Sequence, residues 1–283
     1  MNIVALDGSG LVAGIAVMTE EKLLAEYSVN YKKTHSQTLL PMLDEVLKMI
    51  ELEPKDIDYI AVANGPGSFT GLRICASTAK GLGLALNKPL VAVPSLDALA
   101  YNFEGNDKII CPIMDARRNQ VYTATYTFVK KSEFETINPD LESEKLDDES
   151  EITKLNKTEI QPKNSDTELK NPEMELKTLD SACAEDIHDT IQKVCAHAKE
   201  LGKEVIFLGD GTIPYAKIIA ENMNVAYTIA PTQLLMQRAG SLARAALKMI
   251  EKNQVTTAME LVPEYFRLSQ AERERLEKQK GGL

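Results

Sequence analysis

Ten residues, Asn64-Gly-Pro-Gly-Ser-Phe-Thr-Gly-Leu-Arg73, concentrate three glycines, two hydroxyls and an arginine. A loop of that composition can wrap a phosphate with its backbone N–H groups. Two common templates nevertheless fail. A Walker loop needs Lys and Ser or Thr directly after its last glycine, and Gly71 is followed by Leu72-Arg73. A dinucleotide fingerprint needs glycine where Thr70 stands, and an acidic residue about 20 positions on, where none occurs. The other reading is a tight strand-to-helix turn, with Gly65, Gly67 and Gly71 allowing positive φ and close approach. A second glycine turn, Gly209-Asp-Gly211, could approach a nucleotide and equally suits the start of a helix. Metal-ligand patterns are absent: His188 and His197 are nine residues apart, on opposite faces of one predicted helix, and neither belongs to an H-E-x-x-H motif. His35 reads as a capping or surface residue of a helix's first turn.

Strands and helices must hold these groups. Ile3 to Leu6, Val12 to Met18 and Lys22 to Val29 read as a three-strand meander. Thr34-His-Ser-Gln37 is a capping-box pattern ahead of Leu39, Leu40, Met42, Leu43, Val46, Leu47 and Ile50 at helical spacing. Strand Ile60 to Ala63, the glycine loop, a helix to Leu86, strand Pro89 to Val93 and a short helix from Ser95 follow. The second helix is rich in small residues (Ala76, Ser77, Ala79, Gly81, Gly83, Ala85), which permit close helix packing. The second half repeats the order: strand Lys108 to Met114 ending at Asp115, strand Gln120 to Phe128, a third strand at Glu133 to Ile137 and a helix over Ser181 to Glu200. Strand Glu204 to Leu208, helix Ile213 to Asn222 and strand Ala226 to Ala230 complete it. The pattern predicts an α/β protein of two related ββαβαβ lobes, residues 1–105 and 106–283. A long helix over Thr232 to Lys252 and a frayed, charged one over Gln270 to Lys280 end the chain.

Composition narrows the function. The net charge is −10, which argues against unaided nucleic-acid binding, so contact with tRNA would be indirect. Residues 139–180 hold 13 Asp or Glu against 6 Lys and no aromatic residue, as expected of a solvated, disordered insertion or an acidic docking arm. No apolar run long enough for a membrane span occurs, and Met1 leads directly into a strand without signal-peptide features. The scattered Cys75, Cys111, Cys183 and Cys195 suit a reducing cytoplasm.

Four stretches, His35-Ser-Gln-Thr-Leu-Leu-Pro41, Gly65 to Arg73, Met114-Asp-Ala-Arg117 with Val121-Tyr122, and Pro263-Glu-Tyr-Phe-Arg267, resemble the TsaB family, also called YeaZ. The resemblance covers nearly all of the chain except residues 139–180. It implies the two-lobed actin-like ATPase (ASKHA) fold and a part in forming threonylcarbamoyladenosine on tRNA. The implied role is a non-catalytic scaffold that pairs with its paralogue TsaD and helps to dock the ATPase TsaE. It self-associates as a homodimer without them. No cofactor of its own is implied; ATP or ADP at the partner interface stays open. TsaD binds a metal through H-L-E-G-H, whereas the corresponding run here is Ser95-Leu-Asp-Ala-Leu99, so no metal site is expected.

The family's Asp-Thr-Ser after the first strand is Asp7-Gly8-Ser9 here. Asp7, Ser9, Gly209 and Gly211 are the candidate residual nucleotide contacts. Asp7 and Asp115 are either a relic of a magnesium-holding pair or strand-end turn formers. The candidate partner-binding faces comprise His35, Leu39, Leu43, Leu47, Leu72, Arg73 and Ala76, on the two helices implied to meet the partner. Which face of each helix is core and which is free stays open at this stage. The alternatives from other classes are an actin-like ATPase or small-molecule kinase, and a metallopeptidase.

Overall fold

The computed structural model describes residues 1–31, 35–131 and 173–267. The first sheet has the order β3-β2-β1-β4-β5, from β1 (Asn2–Asp7), β2 (Ala13–Thr19), β3 (Leu23–Val29), β4 (Tyr59–Gly65) and β5 (Leu90–Pro94). β2 runs antiparallel to β1 and β3, while β4 is parallel to β1 and β5. The second sheet repeats this as β8-β7-β6-β9-β10, from β6 (Ile109–Asp115), β7 (Gln120–Lys130), β8 (Met174–Asp186), β9 (Val205–Leu208) and β10 (Tyr227–Ile229). With the meander counted in full, each lobe is βββαβαβ. The duplication read from the sequence is present.

The helices are α1 (His35–Met49), α2 (Phe69–Leu86), α3 (Ser95–Ala100), α4 (Ile187–Leu201), α5 (Ala216–Asn222), α6 (Thr232–Leu235) and α7 (Ala239–Glu251). Strand alternation divides the apolar side chains among three cores. Val4 and Leu6 of β1 face a core beneath α1 and α2, whereas Ile3 and Ala5 face a second core between the lobes. That second core is shared by α3, α7 and residues of both sheets, including Ile110, Tyr126 and Leu208. The third lies beneath α4 and α5.

Several sequence expectations change. Ser181 to Asp186 extends β8 instead of opening a helix, because β7 offers it a full antiparallel partner (Thr123 opposite Cys183, Val121 opposite Glu185). Asp186 caps α4, accepting from the His188 N–H at 2.9 Å. The solvated insertion stops short of residue 180: Met174 and Leu176 pack on the inter-lobe core and Leu179 on the core under α4. β8 thus takes the third-strand place assigned to Glu133 to Ile137, which lies outside the described residues. So do Thr34, residues 139–172 and the tail from Gln270.

The long helix over Thr232 to Lys252 is broken at Met236-Gln237-Arg238. Arg238 is extended, and Glu26 both pairs with Arg238 and accepts the Gly240 N–H at 3.0 Å, which starts α7 afresh. α7 then packs against β1 and β2. The second half of the chain therefore returns to the first lobe, and a cut at residue 105 divides the strands but not the packing. Helix Ile213 to Asn222 shortens to α5, since Asp210–Thr212 forms a separate 3₁₀ turn.

Two glycines of α2 should respond in opposite ways. A Cβ on Gly71 would overlap the Gly8 carbonyl, whereas one on Gly81 meets nothing within 4 Å. Gly71→Ala is expected to lose about 1–3 kcal/mol in urea unfolding. Gly81→Ala is expected to gain about 0.5–1 kcal/mol from helix propensity.

Candidate functional site

The glycine loop is built around close backbone approach. A side chain on Gly67 would strike the Ser9 carbonyl, and one on Gly65 (φ 117°) would strike that of Glu264. The Ser68 N–H donates to the Ser9 carbonyl at 2.7 Å, and Ser68 Oγ caps α2 by accepting the Gly71 N–H. The tight-turn reading therefore accounts for all three glycines.

Beside this junction a cleft of about 570 Å³ opens between the lobes. Ser9, His35, Ser68 and Phe69 line one wall; Asp115, Arg117, Tyr122 and Asp210 line the other. Asp7 is buried just behind it. Its Oδ1 accepts from the Ser9 N–H (2.9 Å) and Oγ (2.7 Å), which makes it a turn former, while Oδ2 has no partner among the described residues. Burial raises the Asp7 pKa, against the lowering effect of the two Ser9 hydrogen bonds. Asp115 is occupied as well: it accepts the Arg117 N–H and the Tyr215 hydroxyl and pairs with the Arg117 guanidinium at 3.1 Å. Burial, and to a lesser degree the Asp115 charge, raises the Asp210 pKa. Gly209 and Gly211 lie against the Ile113 carbonyl and away from the cleft lining; Asp210 between them is the residue that reaches it. Among the described residues no group of three or more His, Cys, Asp or Glu is placed to hold a metal.

The candidate partner face divides. Leu39, Leu43, Leu47, Leu72 and Ala76 are at most 6% exposed, and all but Leu72 belong to the core beneath α1 and α2. The most regular apolar stripe of an amphipathic helix is the one that meets its own sheet, so these residues are corrected from docking to packing. His35 turns to the cleft, its Nε2 3.4 Å from the Val12 carbonyl.

Arg73 alone of the seven stays exposed on the helix face. It lies 3.8 Å over the Phe69 ring and donates from Nε to the Tyr265 hydroxyl at 3.1 Å. The free faces are shifted round each helix: Leu40 on the flank of α1 nearest Ser36, with Met49 on the opposite flank, and Thr70, Ser77, Gly81, Leu84 and Ala85 on α2. A shallow groove of about 520 Å³ lined by Ser36, Phe69, Arg73, Ile74 and Ser77 lies here.

Sequence reasoning also missed Asp97. It lies in the Ser95–Leu99 segment and accepts the Tyr126 hydroxyl at 2.6 Å, which ties α3 to the second sheet. Burial raises its pKa, although the Tyr126 hydrogen bond lowers it. A lone acidic residue in an apolar short helix carries no periodic signal that would reveal such a role.

Comparison with known proteins fits this geometry. The family model of TsaD, tRNA N6-adenosine threonylcarbamoyltransferase, matches residues 22–275. A relative from Buchnera aphidicola (Baizongia pistaciae), a tRNA threonylcarbamoyladenosine biosynthesis protein TsaB, is 30% identical over 51% of this chain and 69% of its own length. The chain belongs to the TsaD family and, within it, to TsaB. The Bacillus subtilis TsaB is 43% identical over 140 residues, 50% of this chain, and the match spans 61% of that relative's length. In fold, the chain is similar to YeaZ from Pseudomonas aeruginosa: TM-score 0.63, 20% identity, 93% of this chain and 99% of that one. The TsaB likeness and the doubled α/β architecture expected from the sequence both hold.

Asp7 offers a pH test. Its folded pKa lies above the ordinary 3.8, so the folded chain binds this proton more tightly than the unfolded one. The stabilisation is complete below 3.8 and is lost as pH rises through the raised folded value. Wild type is therefore expected to lose stability relative to Asp7→Asn as pH rises from 3.8 to neutrality, measured by urea midpoints. Parallel profiles would contradict a buried, titrating Asp7.

Proposed function

We propose that the chain is a non-catalytic scaffold subunit in the formation of threonylcarbamoyladenosine on tRNA. In this reading it pairs with a TsaD-type transferase through the outward faces of α1 and α2, and the pair presents the docking surface for TsaE. The setting is the cytoplasm, tRNA is met through the partner, and any ATP or ADP belongs to the partner interface. Without the partner the same faces join two copies of the chain.

One observation carries the reading: α2 keeps small residues on both sides. Gly71, Ala76 and Ala79 are buried in its own lobe, while Ser77, Gly81 and Ala85 form an exposed stripe beside Leu84, which is 63% exposed. Burial of the first set is explained by packing on β1 and β4. The second set, with Leu40 on α1, one turn on from the groove-lining Ser36, forms a surface on which another helix pair can lie closely. Specific interfaces of this kind bury about 1,200–2,000 Å² in total. Among the described residues no helix is long and apolar enough to cross a membrane.

Gly81 makes the test clean, because its position has open space around it. Gly81→Arg is expected to leave the thermal midpoint near wild type while weakening association with purified TsaD at least about tenfold, equivalent to ~1.4 kcal/mol. Leu39→Ala is expected to act on stability instead, costing about 2–5 kcal/mol. Full binding and tRNA modification by Gly81→Arg would refute this face. Robust magnesium-dependent ATP turnover by the isolated chain would favour an ATPase.

A further inference from the structure

Three of the sequence stretches singled out above meet at one place. Pro263–Arg267 runs across the mouth of the inter-lobe cleft and is bonded at both ends. On the first lobe, the Glu264 N–H donates to the Asn64 carbonyl at 2.7 Å, and the missing Cβ of Gly65 leaves room for the Glu264 carbonyl. Tyr265 stacks on Phe69 with ring centroids 4.8 Å apart and accepts the Arg73 hydrogen bond. On the second lobe, Phe266 meets Tyr122 edge to face at 6.3 Å, and Arg267 donates to the carbonyls of Ala116 and Arg117.

The second-lobe anchor is itself unusual. Arg117, Arg118 and Asn119 all have left-handed φ (64°, 59° and 59°). Residues other than glycine seldom adopt this region, and the conformation persists only where its surroundings over-determine it. Here Asp115 holds the Arg117 N–H, the Ile187 N–H donates to the Asn119 carbonyl, and Arg267 takes the carbonyls on the cleft side. The Ala116 and Arg117 carbonyls of this hairpin converge on the Arg267 guanidinium, the second of them also accepting the Gln120 N–H, and together they form its seat.

We infer that Pro263–Arg267 is a strap that locks the two lobes at a fixed angle and couples the cleft to the α1/α2 groove. The lobes already share a core at the back, sealed by the Tyr126–Asp97 hydrogen bond. The strap adds a second attachment at the front, so hinge motion about the back must break it. Coupling follows from a shared wall. Phe69 lines both the cleft and the groove, and Arg73, in the groove, is held by Tyr265, in the cleft. Pulling the strap off the second lobe therefore loosens the first turn of α2. The groove's role in docking rests on the proposed function; the lock itself does not.

The test uses the full chain with spin labels at Lys48→Cys and Lys217→Cys, on exposed sites of opposite lobes, in a Cys183→Ser background that removes the half-buried native thiol, diluted into excess unlabelled chain so that only distances within one chain are read. In wild type a single inter-lobe distance population is expected, with the Glu264 amide protected from hydrogen exchange. In Arg267→Ala, and more so in Phe266→Ala/Arg267→Ala, a broadened or second population is expected. The Glu264 and Leu72 amides are expected to exchange at least about tenfold faster, as sub-global opening allows, while β1 and β6 amides keep their protection. Unchanged distances in both variants would overturn the lock. Faster Glu264 exchange with Leu72 unaffected would overturn the coupling. If the variants do not fold, wild type still decides: a Glu264 amide exchanging as free backbone means the strap is not closed. Failure to bind TsaD would leave all these readouts untouched and would count against the docking reading alone.

Discussion

The contact on which the rest of the molecule depends is backbone on backbone. The β1–β2 hairpin, Gly8-Ser9, lies directly against the loop Gly67-Ser68 and the first turn of α2 at Gly71, with the Ser68 N–H closing the junction on the Ser9 carbonyl. No side chain fits between these strands of chain. Three consequences follow from that absence. The cleft acquires a wall made of backbone and Phe69. α2 is set at one depth on the sheet, with Leu72 and Cys75 fully buried. Its opposite side, from Thr70 through Ser77 and Gly81 to Ala85, is left outside. A loop that looks made for phosphate is used here to bring protein to protein.

Charge follows the same economy. The strand-end acids Asp7 and Asp115 are taken into local structure. Asp7 holds Ser9, and Asp115 holds Arg117 and Tyr215. A buried carboxylate with an unpartnered oxygen is expensive to ionise, which is why burial dominates the raised Asp7 pKa. The groups that remain free to interact lie outside the cleft, on helices.

Much of the fold was legible. The apolar alternation of β1 and β4, the helical spacing in α1 and the glycine punctuation of the 65–71 loop act locally, so the doubled topology could be read from them. The misreadings occur where a distant partner decides. Ser181-Ala-Cys-Ala-Glu-Asp186 has helix-compatible small residues, but β7 recruits it as strand. Met236-Gln237-Arg238 sits inside a helical pattern, yet Gln237 is wedged against Gly10 and Glu26 recaptures the chain at Gly240.

The candidate partner face was misread in its facing residues. Leu39, Leu43 and Leu47 form the clearest stripe on α1, and that clarity is the mark of a core face. The proposed docking flank (Leu40, Leu84, Gly81) is sparse and mixed, and shows only once burial is known. Hydroxyl-radical footprinting of the chain with and without purified TsaD tests the central claim most directly. The account predicts protection concentrated at Leu40 and Leu84, with Leu11 in the cleft and Ile213 on the second lobe still reactive. Protection of the second lobe with Leu40 and Leu84 still fully reactive would contradict it.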